Sequence, residues 1–240
     1  MTEPLESHLL GQAGRRRASF WHEVRARAVI DQVPPNRQCT VADIGAGAGL
    51  LGEILRRERP SVRYRFSEPI DAVASLVGAR HGPDARMASS TDLAGADVIT
   101  LLDVVEHIDD DRTFVADLVE HAPSGATIVI TVPALPLLWS SWDEQLGHFR
   151  RHTRRSLAAL VTGLDVTAIE VSYLFPELLP PALARRALRS RTGVPAAPAT
   201  DFPELPRMLD RVLLRVSLLT YRWRRRWPAG TSLLLVARVV

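Results

Sequence analysis

Lysine is missing from this sequence: all 30 cationic side chains of its 240 residues are arginine. Without a lysine amine, Schiff-base chemistry and Walker-type phosphate loops are excluded. Cysteine is nearly as scarce. The single Cys39 excludes an internal disulfide and any paired-cysteine metal or redox motif, and it reads as a small buried hydrophobe. No apolar run approaches the ~20 residues that a membrane-spanning helix needs. The N-terminal stretch carries Glu3 and Glu6 and reaches Arg15, Arg16 and Arg17 without an apolar segment, unlike a secretory signal, so a cytoplasmic protein is expected. An excess of one charge is also lacking. Thirty cations against 27 anions leave +3, too little to suggest the concentrated basic face that binds nucleic acid.

What is present is 46% hydrophobic residues, enough for one ordinary core. Phe20, Val24, Ala28 and Ile30 recur at near-helical intervals before Pro34-Pro35, giving a helix over 20–33 within an N-terminal cap of residues 1–35. Strands are then expected at 41–44, 62–66, 85–88, 98–102, 127–132 and 166–175. Helices at 50–59, 70–79, 112–121 and 154–162 alternate with them. Such alternation predicts an α/β fold, an open parallel sheet with helices on both sides. Helices over 176–191 and 205–227, joined by a Pro/Ala connector at 193–206, form an insertion over 176–230. A last strand follows at 233–240.

Asp43-Ile44-Gly45-Ala46-Gly47-Ala48-Gly49 sits where the first strand gives way to a helix. Glycine there lets a ligand approach the backbone, and the helix N-terminus offers unpaired N–H groups to a nucleotide-like molecule. Gly47, Gly49 and Gly52 also satisfy the G-x-G-x-x-G dinucleotide pattern. Glu68, closing the second strand, is placed to accept hydrogen bonds from ribose hydroxyls for either ligand. Asp43, two positions before Gly45, favours the D-x-G-x-G-x-G frame.

The combination of VADIGAGAG, Glu68 and Leu101-Leu102-Asp103-Val104-Val105-Glu106-His107-Ile108 resembles the class I S-adenosylmethionine-dependent methyltransferases, over residues 20–175 plus the last strand. The resemblance implies a Rossmann-like seven-stranded sheet whose antiparallel last strand lies between the fifth and sixth. It implies S-adenosyl-L-methionine as cofactor, with Gly45, Gly47 and Gly49 lining its methionine portion and Asp43 fixing the loop or the amino group. Glu68 would hold the ribose hydroxyls, Ser89 stands where such enzymes often carry an Asp near adenine, and Asp103 would border the methionine. Phe20-Trp21-His22 and Arg25 are similar to an aromatic-and-arginine helix that folds over the cofactor.

Residues 133–153, PALPLLWSSWDEQLGHFRRHT, are similar to a loop found in a bacterial subgroup of small-molecule methyltransferases. Trp139, Asp143, Gly147, His148, Arg150, Arg151 and Thr153 match the pattern, with His152 where Tyr is usual. A small-molecule acceptor is expected, most readily a hydroxyl. With lysine absent, histidine is the natural base near neutral pH. His148 is the expected base and His107 its assistant. An alternative has His107 capping a helix and His148 holding the loop through Asp143. Trp139, Asp143, Arg150 and Arg151 are expected to contact the substrate, and Arg150, Arg151, Arg154 and Arg155 suit a carboxylate or phosphate. Asp109-Asp110-Asp111 reads as a helix opening, so no metal is expected.

Within 205–227, Leu209, Val212, Leu213, Val216 and Leu219 form an apolar stripe with Arg211, Arg215 and Arg222 toward the other side. Packing as a substrate lid is the default expectation. The Trp223–Trp227 arginine run also suits a membrane interface or a lipid-linked acceptor. Two other functions stay open: an NAD-dependent oxidoreductase resting on Gly47, Gly49 and Gly52, and a methyltransferase-like domain that binds without turnover.

Overall fold

The computed structural model describes residues 3–14, 18–35, 37–192 and 205–240. Arg15, Arg16, Arg17 and most of the expected Pro/Ala connector lie outside the described residues. A single sheet of six strands organises the chain: β1 (Cys39–Ile44), β2 (Val62–Ser67), β3 (Val98–Leu102), β4 (Thr127–Pro133), β5 (Val166–Leu174) and β6 (Ser232–Val239). Their order is β2-β1-β3-β4-β6-β5. The first four are parallel, and β6 runs antiparallel between β4 and β5, the place expected for the last strand.

The central strands are buried on both faces, which is why they read as continuous apolar runs. Alternate residues serve two cores. Ile99, Leu101, Ile128, Ile130, Leu233 and Leu235 face one side, against Val115, Leu118 and Val119 of α5 (Asp111–His121) and Leu157 of α7 (Arg154–Ala159). Val98, Val129, Leu234 and Val236 face the other, against α2 (Phe20–Ile30) and α3 (Leu50–Glu58).

Three elements differ from the sequence expectation. Residues 85–88 do not make a strand; a single parallel bridge joins Arg86 to Phe66, so the seventh strand is reduced to one rung. The chain turns away at once, with Asp92 N–H bonded to the Ser89 carbonyl and Leu93 N–H to that of Thr91. An unforeseen helix, α1 (Glu3–Gly14), lies on α4 (Asp71–His81), with Leu9 and Leu10 packed beside Phe66 and Val73. A short helix, α6 (Ser141–Gln145), interrupts the long loop after β4.

Between β5 and β6 run α8 (Leu179–Thr192) and α9 (Arg207–Arg222). α9 braces α2: Asp210 accepts the Phe20 N–H at 2.9 Å and Tyr221 donates to Asp31 at 2.8 Å. Its apolar stripe packs only in part, with Leu213 against the core. Leu209, Val212, Val216 and Leu219 are exposed, and the helix buries Asp210, Ser217 and Tyr221 instead. Helical spacing explains this, because Leu213 lies three residues from Asp210 and four from Ser217, on the brace's own arc, while the other four turn away from it. Among the described residues no helix is long and apolar enough to cross a membrane.

Candidate cofactor and acceptor site

The C-terminal ends of β1, β2, β3 and β4 converge at one edge of the sheet, where open α/β sheets bind ligands. Between β1 and α3 the chain turns through Gly45 (φ +68°), Gly47 (φ +52°) and Gly49 (φ +71°). These left-handed conformations favour glycine. A Cβ on Gly45 would come within 2.7 Å of a Val104 methyl, so the turn is also closed to larger residues by packing. Gly52, by contrast, belongs to helix packing: a Cβ there would meet Tyr64 and His81 at 2.6 Å.

Asp43 is buried beneath this turn and accepts hydrogen bonds from Tyr64 Oη and Thr100 Oγ1, each at 2.7 Å. Burial pushes its carboxyl up to about 6 despite those two donors. Glu68 is buried too, and reaches back from β2 to accept the Gly47 N–H at 2.8 Å and the Ile70 N–H at 3.0 Å. Burial raises its pKa, opposed by the two backbone bonds.

Asp103 follows β3 with φ +60°, a strained conformation for a residue with a Cβ. Its carboxylate takes the Arg25 guanidinium in a partly buried ion pair and the Thr131 hydroxyl at 3.0 Å. The Trp21 indole N–H points to the same carboxylate, and its ring stacks on Phe175 at 4.1 Å with planes 8° apart. Helix α2 is thereby fastened over the end of β3. Ser89 lies on an exposed turn, bonded to Thr91.

The next turn carries Glu106 and His107, and the long loop brings His148 to them. The two imidazoles meet edge to face at 4.6 Å between centroids. The Phe149 N–H, bonded to the Glu106 carbonyl at 2.8 Å, pins the loop there. Behind His148 stands Asp143, fully buried, bonded to His148 Nδ1 at 3.0 Å and to Arg151 Nε and Nη2 at 2.8 and 3.0 Å. Burial pushes the Asp143 carboxyl up, but the His148 and Arg151 bonds outweigh it and hold the group at about 2. Burial, assisted by His148, brings His107 down to about 4, so it is a neutral imidazole at neutral pH.

Other residues of this region have partners within the chain. Arg150 pairs with Asp109 and Asp111, and the Trp139 indole donates to Glu144 at 3.2 Å. Arg154 donates to the Trp227 carbonyl, and His152 is buried near Asp111. Asp110 caps α5 by accepting the Thr113 N–H at 3.1 Å.

A methyltransferase domain model matches residues 13–171, about two thirds of the chain. The chain belongs to the class I S-adenosylmethionine-dependent methyltransferases. No curated protein matches this methyltransferase. Solved structures share its fold at low identity. A methyltransferase of Haloferax volcanii, solved with its Trm112 activator, is 15% identical with TM-score 0.58 over 91% of this chain and 90% of that one. Geranyl diphosphate C-methyltransferase from Streptomyces coelicolor, solved with Mg2+, geranyl diphosphate and S-adenosyl-L-homocysteine, is 15% identical with TM-score 0.56, covering 91% and 80%. Phosphoethanolamine N-methyltransferase 2 of Haemonchus contortus, solved with S-adenosyl-L-methionine, is 13% identical with TM-score 0.57, covering 90% of this chain and 52% of that one. This methyltransferase thus spans about half the length of the Haemonchus enzyme.

The residues fit the cofactor S-adenosyl-L-methionine. The glycine turn presents backbone without a Cβ in the way, and carboxylates from β2 and the end of β3 flank it. Family membership removes the NAD-dependent reading. Four features of the methyltransferase site escaped the sequence reading: Tyr64 and Thr100 under Asp43, Thr131 beside Asp103, and α1, whose Leu9 lies against Gly47 while His8 meets the Trp142 ring edge-on at 5.3 Å. Glu106, also given no role, did leave a legible signal, as the acid in the Glu-His pair after a buried strand.

Proposed function

We propose that this protein methylates an oxygen of a small-molecule acceptor bound between the glycine turn and the 133–153 loop. The observation that carries this reading is the His107–His148 pair, set at the same sheet edge as the glycine turn. S-adenosyl-L-methionine, when bound, supplies an electrophilic methyl group on a sulfonium. Gly45, Gly47 and Gly49 border its methionine portion, Glu68 uses its free lone pairs on the ribose hydroxyls, and Asp103 with Trp21 and Arg25 closes the other side. His148 Nδ1 donates to Asp143, which leaves Nε2 as the acceptor of the hydroxyl proton. Methyl transfer would form the O–CH3 bond in line as the S–CH3 bond breaks, with the thioether leaving neutral. His107 and the α8–α9 insertion position and cover the acceptor.

Calorimetric titration with S-adenosylhomocysteine, followed by a screen of hydroxylated acceptors, tests this. We expect saturable binding that Glu68→Ala weakens, and turnover that His148→Ala lowers about 10²-fold or more. Binding without any turnover across the screen would favour a cofactor-binding domain without catalysis.

A second reading concerns α9. Leu209, Val212, Val216, Leu219 and Trp223 lie exposed along one face, with exposed Arg211, Arg215 and Arg222 down one edge of it. An apolar face edged by arginine suits the surface of an anionic membrane. Cosedimentation with phosphatidylserine vesicles, absent with phosphatidylcholine alone, is the expected result.

A further inference from the structure

Glu106 has no role in the reading above, although its place is unusual. Its side chain is fully buried, and neither carboxylate oxygen accepts a hydrogen bond from another residue. A buried, unpaired carboxylate is costly, so such a group calls for a counter-charge or a proton. Beside it stand two imidazoles that each keep one ring nitrogen free for a ligand. His148 has Nδ1 committed to Asp143, and a ring nitrogen of His107 donates to the Leu146 carbonyl. One ligand atom from each of Glu106, His107 and His148 lies within 4.8 Å of the others. Histidines oriented from behind by a carboxylate and a carbonyl are the usual outer support of metal-binding imidazoles.

We infer that Glu106, His107 and His148 bind a divalent first-row transition cation at the acceptor end of the site. The donor set of two imidazole nitrogens and one carboxylate oxygen suits Zn2+, Co2+ or Mn2+ and disfavours Mg2+, which takes oxygen ligands. Three protein ligands leave a position open, as in catalytic rather than structural sites. A hydroxyl bound there has its pKa lowered, so its proton passes to solvent water and the oxygen meets the methyl group already ionised. The inference rests on the proposed acceptor site and changes its base: with the cation present, the His148 lone pair is a ligand. The carboxylate of Glu106 then gains a directly bound counter-charge.

The test uses the full chain, stripped with EDTA and titrated calorimetrically with Zn2+, Co2+, Mn2+ and Mg2+. We expect one Zn2+ or Co2+ per chain, visible d–d absorption from the bound Co2+, and much weaker Mg2+ binding. Glu106→Gln and His148→Asn should each weaken Zn2+ at least about 10-fold while S-adenosylhomocysteine binding stays intact. The second variant keeps a hydrogen bond to Asp143 and serves if the first does not fold. No saturable Zn2+, Co2+ or Mn2+ binding by the parent chain, or equal Zn2+ binding by both folded variants, overturns the inference. Failure of the parent chain to bind S-adenosylhomocysteine would instead overturn the methyl-transfer reading, whatever the cation count.

Discussion

Asp43 shows how much a single residue's environment decides. Its folded pKa of about 6 lies above the ordinary 3.8, so between those two pH values the native state holds a proton that the unfolded chain has released. The associated stability is complete below about pH 4 and is lost as pH rises through about 6. Asp43→Asn cannot ionise, so the stability of the wild type relative to this variant should fall by on the order of 2 kcal/mol between pH 4.5 and 7. Urea unfolding at the two pH values measures it, and a difference independent of pH would contradict the assignment. Gly47→Val tests the glycine turn at the same scale. A β-branched residue at φ +52° is strained, and its Cβ would lie 3.2 Å from Leu9. We expect it to abolish the thermal shift given by S-adenosylhomocysteine.

At the scale of elements, the 133–153 loop is held by one buried acid. Removing the Asp143 carboxylate leaves Arg151 unpaired, so Asp143→Ala should cost about 3–5 kcal/mol, with Asp143→Asn milder. Chemical denaturation of both variants checks the order. Arg150 and Arg151, expected to read an acidic substrate, are already satisfied by carboxylates of the chain itself. Helix α9 separates its two faces more sharply. Tyr221→Phe breaks the bond to Asp31 and should destabilise by about 1 kcal/mol. Leu209→Gln with Leu219→Gln should change stability by less than about 0.5 kcal/mol yet remove vesicle binding, because both side chains are exposed.

For the whole molecule, a ligand that binds only the folded chain stabilises it by mass action. S-adenosylhomocysteine at 100 times its Kd should add about 2.7 kcal/mol, a rise in Tm of roughly 5–10 °C for a chain of this size. Differential scanning fluorimetry across a concentration series measures it. β6 lies between β4 and β5 and carries residues of both cores, so a chain ending at residue 230 should not fold. Loss of the cooperative transition in circular dichroism is the expected sign.

The order of strands and helices, the glycine turn and the acids at the strand ends were all legible in the sequence. Each rests on neighbours within a few residues: alternation of apolar side chains, glycine where φ turns positive, a carboxylate just past a buried run. The strand expected at 85–88 went astray because its alternation is genuine but the Ser89–Leu93 turn leaves room for only one rung. Tertiary structure alone decided which arc of α9 faces solvent, since that follows from where α2 offers Asp31 and the Phe20 N–H. It alone laid α1 beside the glycine turn. It also brought Glu106 and His107 from the end of β3 against His148 of a distant loop, because strand order, not chain order, sets what meets at the edge of a sheet.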